Sequence, residues 1–410
     1  MKLHGYETTV SFEEKADIYI INTCTVTNMS DRKSRQMLRR AKQRNFNAII
    51  VATGCYAQVA KEELEKMDEI DLCLGINEKN NIVEYVEKYI QNHEKKAIAS
   101  DVMKQNEFMD FGNVTATERT RAAIKIQDGC DRFCTYCIIP FARGRVRSRK
   151  IDSILKEVKA LVETGIKEIV LTGIHIASYG KDFTENISLW NLLYELNKIE
   201  GLKRIRLGSL EPTLLTKEFI EKIKSLDKLC DHFHISLQSG CDETLKRMNR
   251  RYTTNEFKEI TKNLRETFPE AVLTTDIIVG FPGETDEEFE TTYNFLKEIK
   301  FYKMHVFPYS RRNGTKAAAM PNQIDTVQKE ERSRRLIQLS NKNEQEFLNK
   351  YIGKNVDVLF EQKVGEYIKG HTTNYLEVEA NMQQAHENDL KLVHITGRDN
   401  LKLVGNVTTM

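Results

Sequence analysis

What this chain lacks narrows it first. Its 410 residues hold no uninterrupted apolar run of membrane-span length, 30% of them are charged, and the mean hydropathy is −0.51. A membrane-spanning protein is therefore not expected. The opening residues, Met1-Lys2-Leu3-His4-Gly5-Tyr6-Glu7, lack the apolar stretch of a signal peptide, so the expected location is the cytoplasm. Only eight cysteines occur, unevenly spaced. That pattern fits metal ligation in a reducing compartment better than a disulfide framework. Excess charge of one sign is missing too: 62 basic against 60 acidic residues leave a formal net charge of +2. Any polyanionic partner must then be held by local patches. No internal repeat or low-complexity tract is evident. The length exceeds one typical core, and two or three domains are expected.

What is present starts with the run Gln127-Asp128-Gly129-Cys130-Asp131-Arg132-Phe133-Cys134-Thr135-Tyr136-Cys137-Ile138-Ile139-Pro140. Three thiolates at this spacing on one loop wrap three corners of a cubane iron–sulfur cluster and leave the fourth iron without a protein ligand. Fully ligated clusters serve electron transfer, whereas an open iron binds a substrate. Three unrelated thiols are the competing reading. The CxxxCxxC spacing, with an aromatic residue before the last cysteine, resembles the radical S-adenosylmethionine (SAM) superfamily. That resemblance implies an open iron chelated by the amino and carboxylate groups of SAM.

Along the chain, Ala16–Cys24 and Asn47–Cys55 read as buried strands ending in polar loops, with a helix between them that Ser30 or Asp31 could cap. Strand, helix, strand predicts a parallel α/β layer, whose ligands collect at the carboxyl ends of strands, where Cys24 and Cys55 sit. Residues 102–119 look like a linker. From Thr120, strands at 122–127, 168–172, 204–207, 232–237, 273–279 and 303–307 alternate with helices at 152–164, 189–199, 219–225, 254–267 and 286–299. Six such units predict a partial (βα)6 barrel with functional residues on the loops after its strands. A charged helix (326–351) follows. Period-two alternation at Val356, Val358 and Phe360, at Leu376 and Val378, and at Leu390 and Leu392, with a turn at Gly397–Asn400, then predicts a small antiparallel, OB-like barrel.

This order resembles the radical-SAM methylthiotransferases, and the resemblance covers nearly the whole chain. The C-terminal piece is similar to their TRAM domain. Cys130–Arg149, Leu171-Thr172-Gly173-Ile174-His175, the run His232–Gly240 and Ile278-Val279-Gly280-Phe281-Pro282-Gly283-Glu284-Thr285 resemble the MtaB-type branch. Its members attach a methylthio group to C2 of N6-threonylcarbamoyladenosine at position 37 of tRNA. The implied organisation is an incomplete methylthiotransferase N-terminal domain (1–101), a linker (102–119), a radical SAM domain (120–345) and a TRAM domain (346–410).

The resemblance implies a [4Fe–4S] cluster on Cys130, Cys134 and Cys137 that cleaves SAM to a 5′-deoxyadenosyl radical. The adenine C2–H bond is too strong for acid–base chemistry, so the cofactor must do that work while the protein positions it. Gly173 is a candidate for close backbone approach to SAM. Ser209, Glu211 and Gln238 are candidate polar partners of its ribose or carboxylate. The Gly280–Glu284 loop resembles the adenine-side motif. Each of these also fits an ordinary turn or barrel-rim residue, and Glu284 also fits a helix-start carboxylate. Cys24 and Cys55 correspond to two of the three ligands of an auxiliary [4Fe–4S] cluster that carries the sulfur to be inserted. Family members usually begin with a further strand and a Gly-Cys loop supplying the first ligand. Here Met1 lies within what looks like the following helix, so the auxiliary cluster is in question. Cys73 is the conceivable substitute, although a buried thiol there, as at Cys230 and Cys241, is the plainer reading.

Two basic stretches bear on partners. Arg32, Lys33, Arg35, Arg39, Arg40, Lys42 and Arg44 follow one another without an intervening acid. Arg143, Arg145, Arg147, Arg149 and Lys150 alternate after the cluster loop. Such patches suit the phosphates of folded RNA, and the barrel would add shape-based contacts. The target adenine of an anticodon loop must be splayed out to react. The expected protein is a tRNA methylthiotransferase using SAM, fed electrons by a donor such as a flavodoxin or ferredoxin, with no DNA or membrane partner. The alternatives are an RNA-binding iron–sulfur protein impaired in sulfur insertion, and the sibling enzyme for isopentenyladenosine-tRNA.

Overall fold

The computed structural model describes Met1, residues 4–110 and residues 120–408. It forms two compact units, each assembled from separated stretches of chain. The first joins the described residues of 1–110 to Gly129–Val146 and Ser310–Ala319. The second joins 120–128, Arg147–Tyr309 and the chain from Met320 onward.

In the first unit, β1 (Ile18–Thr23), β2 (Ile49–Gly54), β3 (Leu72–Leu74) and β4 (Lys96–Ile98) form a parallel sheet in that order. Its inner strands β2 and β3 are apolar runs because both faces are covered. Ile50 and Ala52 pack with Leu38, Tyr56 and Leu64 on one face, and Val51 packs with Leu72, Leu74 and Val86 on the other. The helix Asn28–Arg44 buries Ser34, Leu38 and Ala41 on its inner face. Its cap is Thr27, whose hydroxyl accepts from the Ser30 backbone N–H at 3.1 Å. The predicted caps lie inside the first turn instead, because Asp31 is drawn into a buried ion pair with Arg312. Val102–Lys104 of the expected linker is a short 3-10 turn with Val102 buried, and residues 111–119 of that linker lie outside the described residues.

The second unit holds β5 (Arg121–Asp128), β6 (Arg147–Ser148), β7 (Glu168–Gly173), β8 (Arg204–Leu207), β9 (His232–His234), β10 (Val272–Val279) and β11 (Lys303–Pro308). β5, β7 and β8 run parallel, as do β9, β10 and β11, and the bridges Ile205↔Leu229 and Leu210↔Ile235 join the two sets. The six parallel strands make the expected partial barrel, with β6 added antiparallel to β5. Outward residues such as Ile124, Ile169, Ile205, Phe233 and Ile277 pack against the helices in one large core.

After the helix Thr326–Asn349, β12 (Asn355–Val364), β13 (Tyr367–Thr372), β14 (Glu377–Asn381), β15 (Leu390–Asp399) and β16 (Lys402–Val407) close a barrel in the order β12-β13-β14-β16-β15. The turn expected at Gly397–Asn400 falls later. β15 runs through Asp399 because an irregularity at Ile395/Gly397 shifts its pairing with β16 and leaves Asn400, at φ +53°, in the turn. This small barrel docks on charged side chains of the larger one. Arg204 donates to the His371 and Asp357 carbonyls, both at 2.9 Å. Arg206 donates to the Thr373 carbonyl and to Glu168, both at 2.8 Å. Arg121 pairs with Glu361 at 2.9 Å.

Candidate active site

The loop between β5 and β6 carries the three closely spaced cysteines. At its start Gly129 takes φ +73°, and a Cβ there would run into the Arg145 carbonyl, so the two ends of the loop lie backbone to backbone. The Cys130 N–H donates to the Gly144 carbonyl at 3.0 Å, and the Cys137 N–H to the Cys134 carbonyl at 2.9 Å. The Arg132 N–H points at Cys130 Sγ at 3.5 Å. Phe133, at φ +49°, reverses the chain between the first two cysteines, and its ring meets Phe141 and the Arg145 guanidinium. None of the three forms a disulfide, and all are half-buried.

Half-buried thiols on a pinned loop, one already receiving a backbone N–H, suit a cubane that must also meet a cofactor. Among the described residues, no three His, Cys, Asp or Glu side chains converge as they would around one metal ion. A cubane needs less convergence, since its thiolates bind different irons.

Cys24 and Cys55 belong to the same unit. Each follows a strand end, and the preceding residues, Thr23 and Gly54, are register partners in β1 and β2. Gly54 takes φ +104°, and a Cβ on it would meet the Thr23 carbonyl. Thr23 Oγ1 donates to the Thr53 carbonyl at 2.6 Å and accepts from the Ala57 N–H at 3.1 Å, which locks the two turns together. Cys24 is exposed and Cys55 buried. Arg143 Nε donates to Cys55 Sγ at 3.0 Å, the kind of contact a metal-bound thiolate accepts. Cys73 instead lies in the sheet core, with burial pushing its thiol up to about 12. Cys230 and Cys241 are buried, and burial raises both thiols.

The segment Ser310–Ala319 braces both cysteine loops, and no motif in the sequence announced it. Arg312 is buried and donates to Asp31 Oδ2 and Asn28 Oδ1, both at 2.7 Å, and to Thr25 Oγ1, all just after Cys24. The Asn28 N–H donates to Ser310 Oγ at 3.1 Å. Further along, the Ala317 N–H donates to the carbonyl of Thr135, inside the CxxxCxxC loop, at 2.9 Å.

The candidate cofactor residues lie in the second unit at the carboxyl ends of its strands. Gly173 packs against Gln127, whose Oε1 accepts from the His175 N–H at 2.7 Å. Ser209 is exposed. Glu211 is buried beside Arg250 at 2.8 Å and His175 Nε2 at 3.6 Å. Gln238 takes φ +71° and bridges to Ile277. A Cβ on Gly280 would meet the Lys329 side chain. Glu284 accepts from the Gly280 N–H at 2.9 Å and pairs with Arg332 at 2.7 Å, so it pins its own loop rather than serving only as a helix-start charge. Burial raises its pKa against those partners.

The basic stretches are less one-sided than the sequence suggests. Arg32 and Lys33 are exposed, but Arg35 pairs with Glu63, Arg39 with Glu69 and Arg40 with Glu13. Acids from other segments supply the counter-charges missing from the helix itself. Arg145 is exposed near Asp131, whereas Arg147 and Arg149 are buried, beside Asp128 and Glu157 respectively. Of the alternating arginines only Arg145 is exposed, so they form no continuous exposed stripe.

Residues 124–296 match the Radical SAM superfamily, and residues 1–75 match the uncharacterized protein family UPF0004. The fold is similar to that of the radical S-adenosylmethionine methyltransferase TsrM from Kitasatospora setae, with TM-score 0.54 and 15% identity over 75% of this chain and 66% of that one. Fold and cysteine loop thus define a radical SAM enzyme, which works with a [4Fe–4S] cluster and SAM.

Full-length relatives sharpen the class. The chain is 43% identical over 380 residues to threonylcarbamoyladenosine tRNA methylthiotransferase MtaB of Bacillus subtilis (strain 168), covering 91% of this chain and 84% of the relative. It is 44% identical over 374 residues to the protein of the same name from Aquifex aeolicus (strain VF5), covering 91% and 90%. It is 39% identical over 364 residues to tRNA-2-methylthio-N(6)-dimethylallyladenosine synthase of Thermoanaerobacter pseudethanolicus (strain ATCC 33223 / 39E), covering 87% and 76%. The chain belongs to the radical SAM tRNA methylthiotransferase family. Among the described residues, no helix is long and apolar enough to cross a membrane.

Proposed function

We propose that this enzyme attaches a methylthio group to C2 of N6-threonylcarbamoyladenosine at position 37 of tRNA, in the cytoplasm, with electrons from a flavodoxin or ferredoxin. The observation that carries the substrate choice is the identity of 43–44% to the two threonylcarbamoyladenosine enzymes, against 39% to the dimethylallyladenosine synthase.

In this reading Cys130, Cys134 and Cys137 hold the catalytic cluster, which when bound supplies the one-electron chemistry that cleaves SAM. Gly173, Ser209, Glu211 and Gln238 position the cofactor, and Glu284 with Gly280 shapes the loop beside it. Cys24 and Cys55, the latter accepting a hydrogen bond from Arg143, present the site for the sulfur-donating cluster. Arg32, Lys33, Arg39, Arg40, Arg145 and Lys150 are the exposed members of the basic stretches that meet RNA phosphate. The chain divides into a methylthiotransferase N-terminal domain (1–101), a radical SAM domain (120–345) and an RNA-binding TRAM domain (346–410).

The test is competition between two anticodon stem–loops, one bearing N6-threonylcarbamoyladenosine and the other N6-dimethylallyladenosine, with SAM and reductant. Methylthiolation of the first alone is expected; preference for the second would overturn the substrate assignment. One observation favours a second reading, an RNA-binding iron–sulfur protein that inserts no sulfur: Cys73 lies in the sheet core rather than at the strand ends with Cys24 and Cys55. Iron analysis after anaerobic reconstitution separates the two. About eight irons per chain, from two four-iron cubanes, supports the enzyme, and about four supports the second reading.

A further inference from the structure

The barrel wall made by β9, β10 and β11 carries a polar ladder that neither cysteine group uses. Register sets Val272 beside His232, Thr274 beside His234, Asp276 beside His305 and Ile278 beside Phe307. Leu273, Ile277, Val279, Met304 and Val306 pack toward the helices. The alternate residues therefore face the barrel interior.

On that inner face His232 Nε2 lies 3.3 Å from Thr274 Oγ1, His234 Nδ1 lies 2.9 Å from the same hydroxyl, and His234 Nε2 lies 3.2 Å from Asp276 Oδ2. The chain has one sensible polarity. His232 is buried with Nδ1 unpartnered, and burial, aided by Arg206, lowers its pKa well below the usual value. A neutral His232 with its proton on Nε2 leaves only an acceptor unpaired; the other tautomer would strand a buried N–H, the rarer and costlier defect. His232 then donates to Thr274, Thr274 donates to His234 Nδ1, and His234 Nε2–H donates to Asp276. The ladder ends by presenting Asp276 as a fixed carboxylate acceptor.

Asp276 is partly open to the interior, with 28% of its side chain exposed. One step further toward the carboxyl ends of the strands, about 7 Å along the wall, the Phe307 ring is 49% exposed. An exposed ring beside an oriented acceptor is what reads an extruded base, by stacking on its face and hydrogen bonding at its edge. Relatives of both substrate types act on adenosines substituted at N6. Such a base keeps a single N6–H donor.

We propose that Asp276 and Phe307 form the nucleobase subsite, Phe307 as the stacking platform and Asp276 as the acceptor for the N6–H of an N6-substituted adenine. This rests on the reading that the substrate is such a base. In Asp276→Asn the amide oxygen would accept from His234 and turn its NH2 toward the base, opposing a second donor.

The test uses the anaerobically reconstituted full chain and a stem–loop carrying N6-threonylcarbamoyladenosine, with a matched RNA in which N6 is also methylated and so lacks the N–H. The wild type should methylthiolate the first at least tenfold better than the second. Asp276→Asn should lose at least tenfold on the first RNA, and Phe307→Ala a comparable factor, with Phe307→Trp restoring it. In all variants RNA-independent 5′-deoxyadenosine formation should stay within about twofold of wild type. Wild-type methylthiolation by Asp276→Asn and Phe307→Ala would overturn the subsite, as would equal loss of SAM cleavage. A wild-type enzyme that modifies neither RNA would instead sink the substrate reading itself.

Discussion

Arg143 donates from Nε to the sulfur of Cys55 at 3.0 Å, tying the short helix after the CxxxCxxC loop (Ile139–Arg143) to the turn after β2. Outer-shell donors of this kind orient a thiolate, and their loss costs about 10–100-fold in metal affinity. Arg143→Met should therefore release iron to a chelator faster than wild type, with Arg143→Lys intermediate. Identical release profiles would show that the bond is incidental.

Arg312 is the brace for the turn after Cys24. Truncating it would strand Asp31, whose side chain is 12% exposed, and remove a partner from Thr25 and from Asn28. Breaking a buried pair by deleting one member costs about 3–5 kcal/mol. Arg312→Ala should lower the urea midpoint accordingly, and Arg312→Lys should recover part of it. A midpoint unchanged from wild type would contradict the brace.

Gly129 combines φ +73° with a backbone contact where a Cβ would sit, whereas Gly365, at φ +61°, has open space around that position. Gly365→Ala should cost only about 1–2 kcal/mol of left-handed strain. Gly129→Ala should in addition prevent the loop ends from closing, so that iron bound after reconstitution falls. Full iron loading in Gly129→Ala would refute this role.

Acid sensitivity should have two stages. His232 is held neutral, its pKa lowered chiefly by burial, so the unfolded chain binds a proton that the folded chain does not. Its contribution is intact above about pH 6.5 and is lost as pH falls below it, at up to about 1.4 kcal/mol per unit. Glu361, its pKa lowered overall by His371 and Arg121 against burial, loses its contribution only below about pH 4.5. Thermal melts from pH 7 to 5 should show a falling midpoint that flattens in His232→Gln. A melt indifferent to pH over that range in wild type would rule out a neutral buried His232.

Much of the fold was legible because it is written in local periodicity. β8 spans Arg204–Leu207 as expected, and β5, β7, β10 and β11 shift by a residue or two, since their apolar alternation and flanking turns are strong. The strand expected over 232–237 regularises only as His232–His234, because Gln238 at φ +71° already bends the chain toward β10. Short β4 was missed, since Lys96–Ile98 has too few residues for a period to show. The candidate site was legible in its cysteines, whose spacing is itself the signal. The partners of those cysteines were not: Arg312 and Asn28 lie 284 residues apart, and nothing local marks such a pair. The counter-charges of Arg35 and Arg40, Glu63 and Glu13, were hidden for the same reason.

The proposed function stands on Cys130, Cys134 and Cys137 holding a cluster with one iron open to SAM. Electron paramagnetic resonance of the reduced, anaerobic protein with and without SAM tests it most directly. SAM should change the spectrum of the wild type, and Cys134→Ala should show no SAM-dependent change and form no 5′-deoxyadenosine. A wild-type spectrum unaltered by SAM, or 5′-deoxyadenosine still formed by Cys134→Ala, would contradict it.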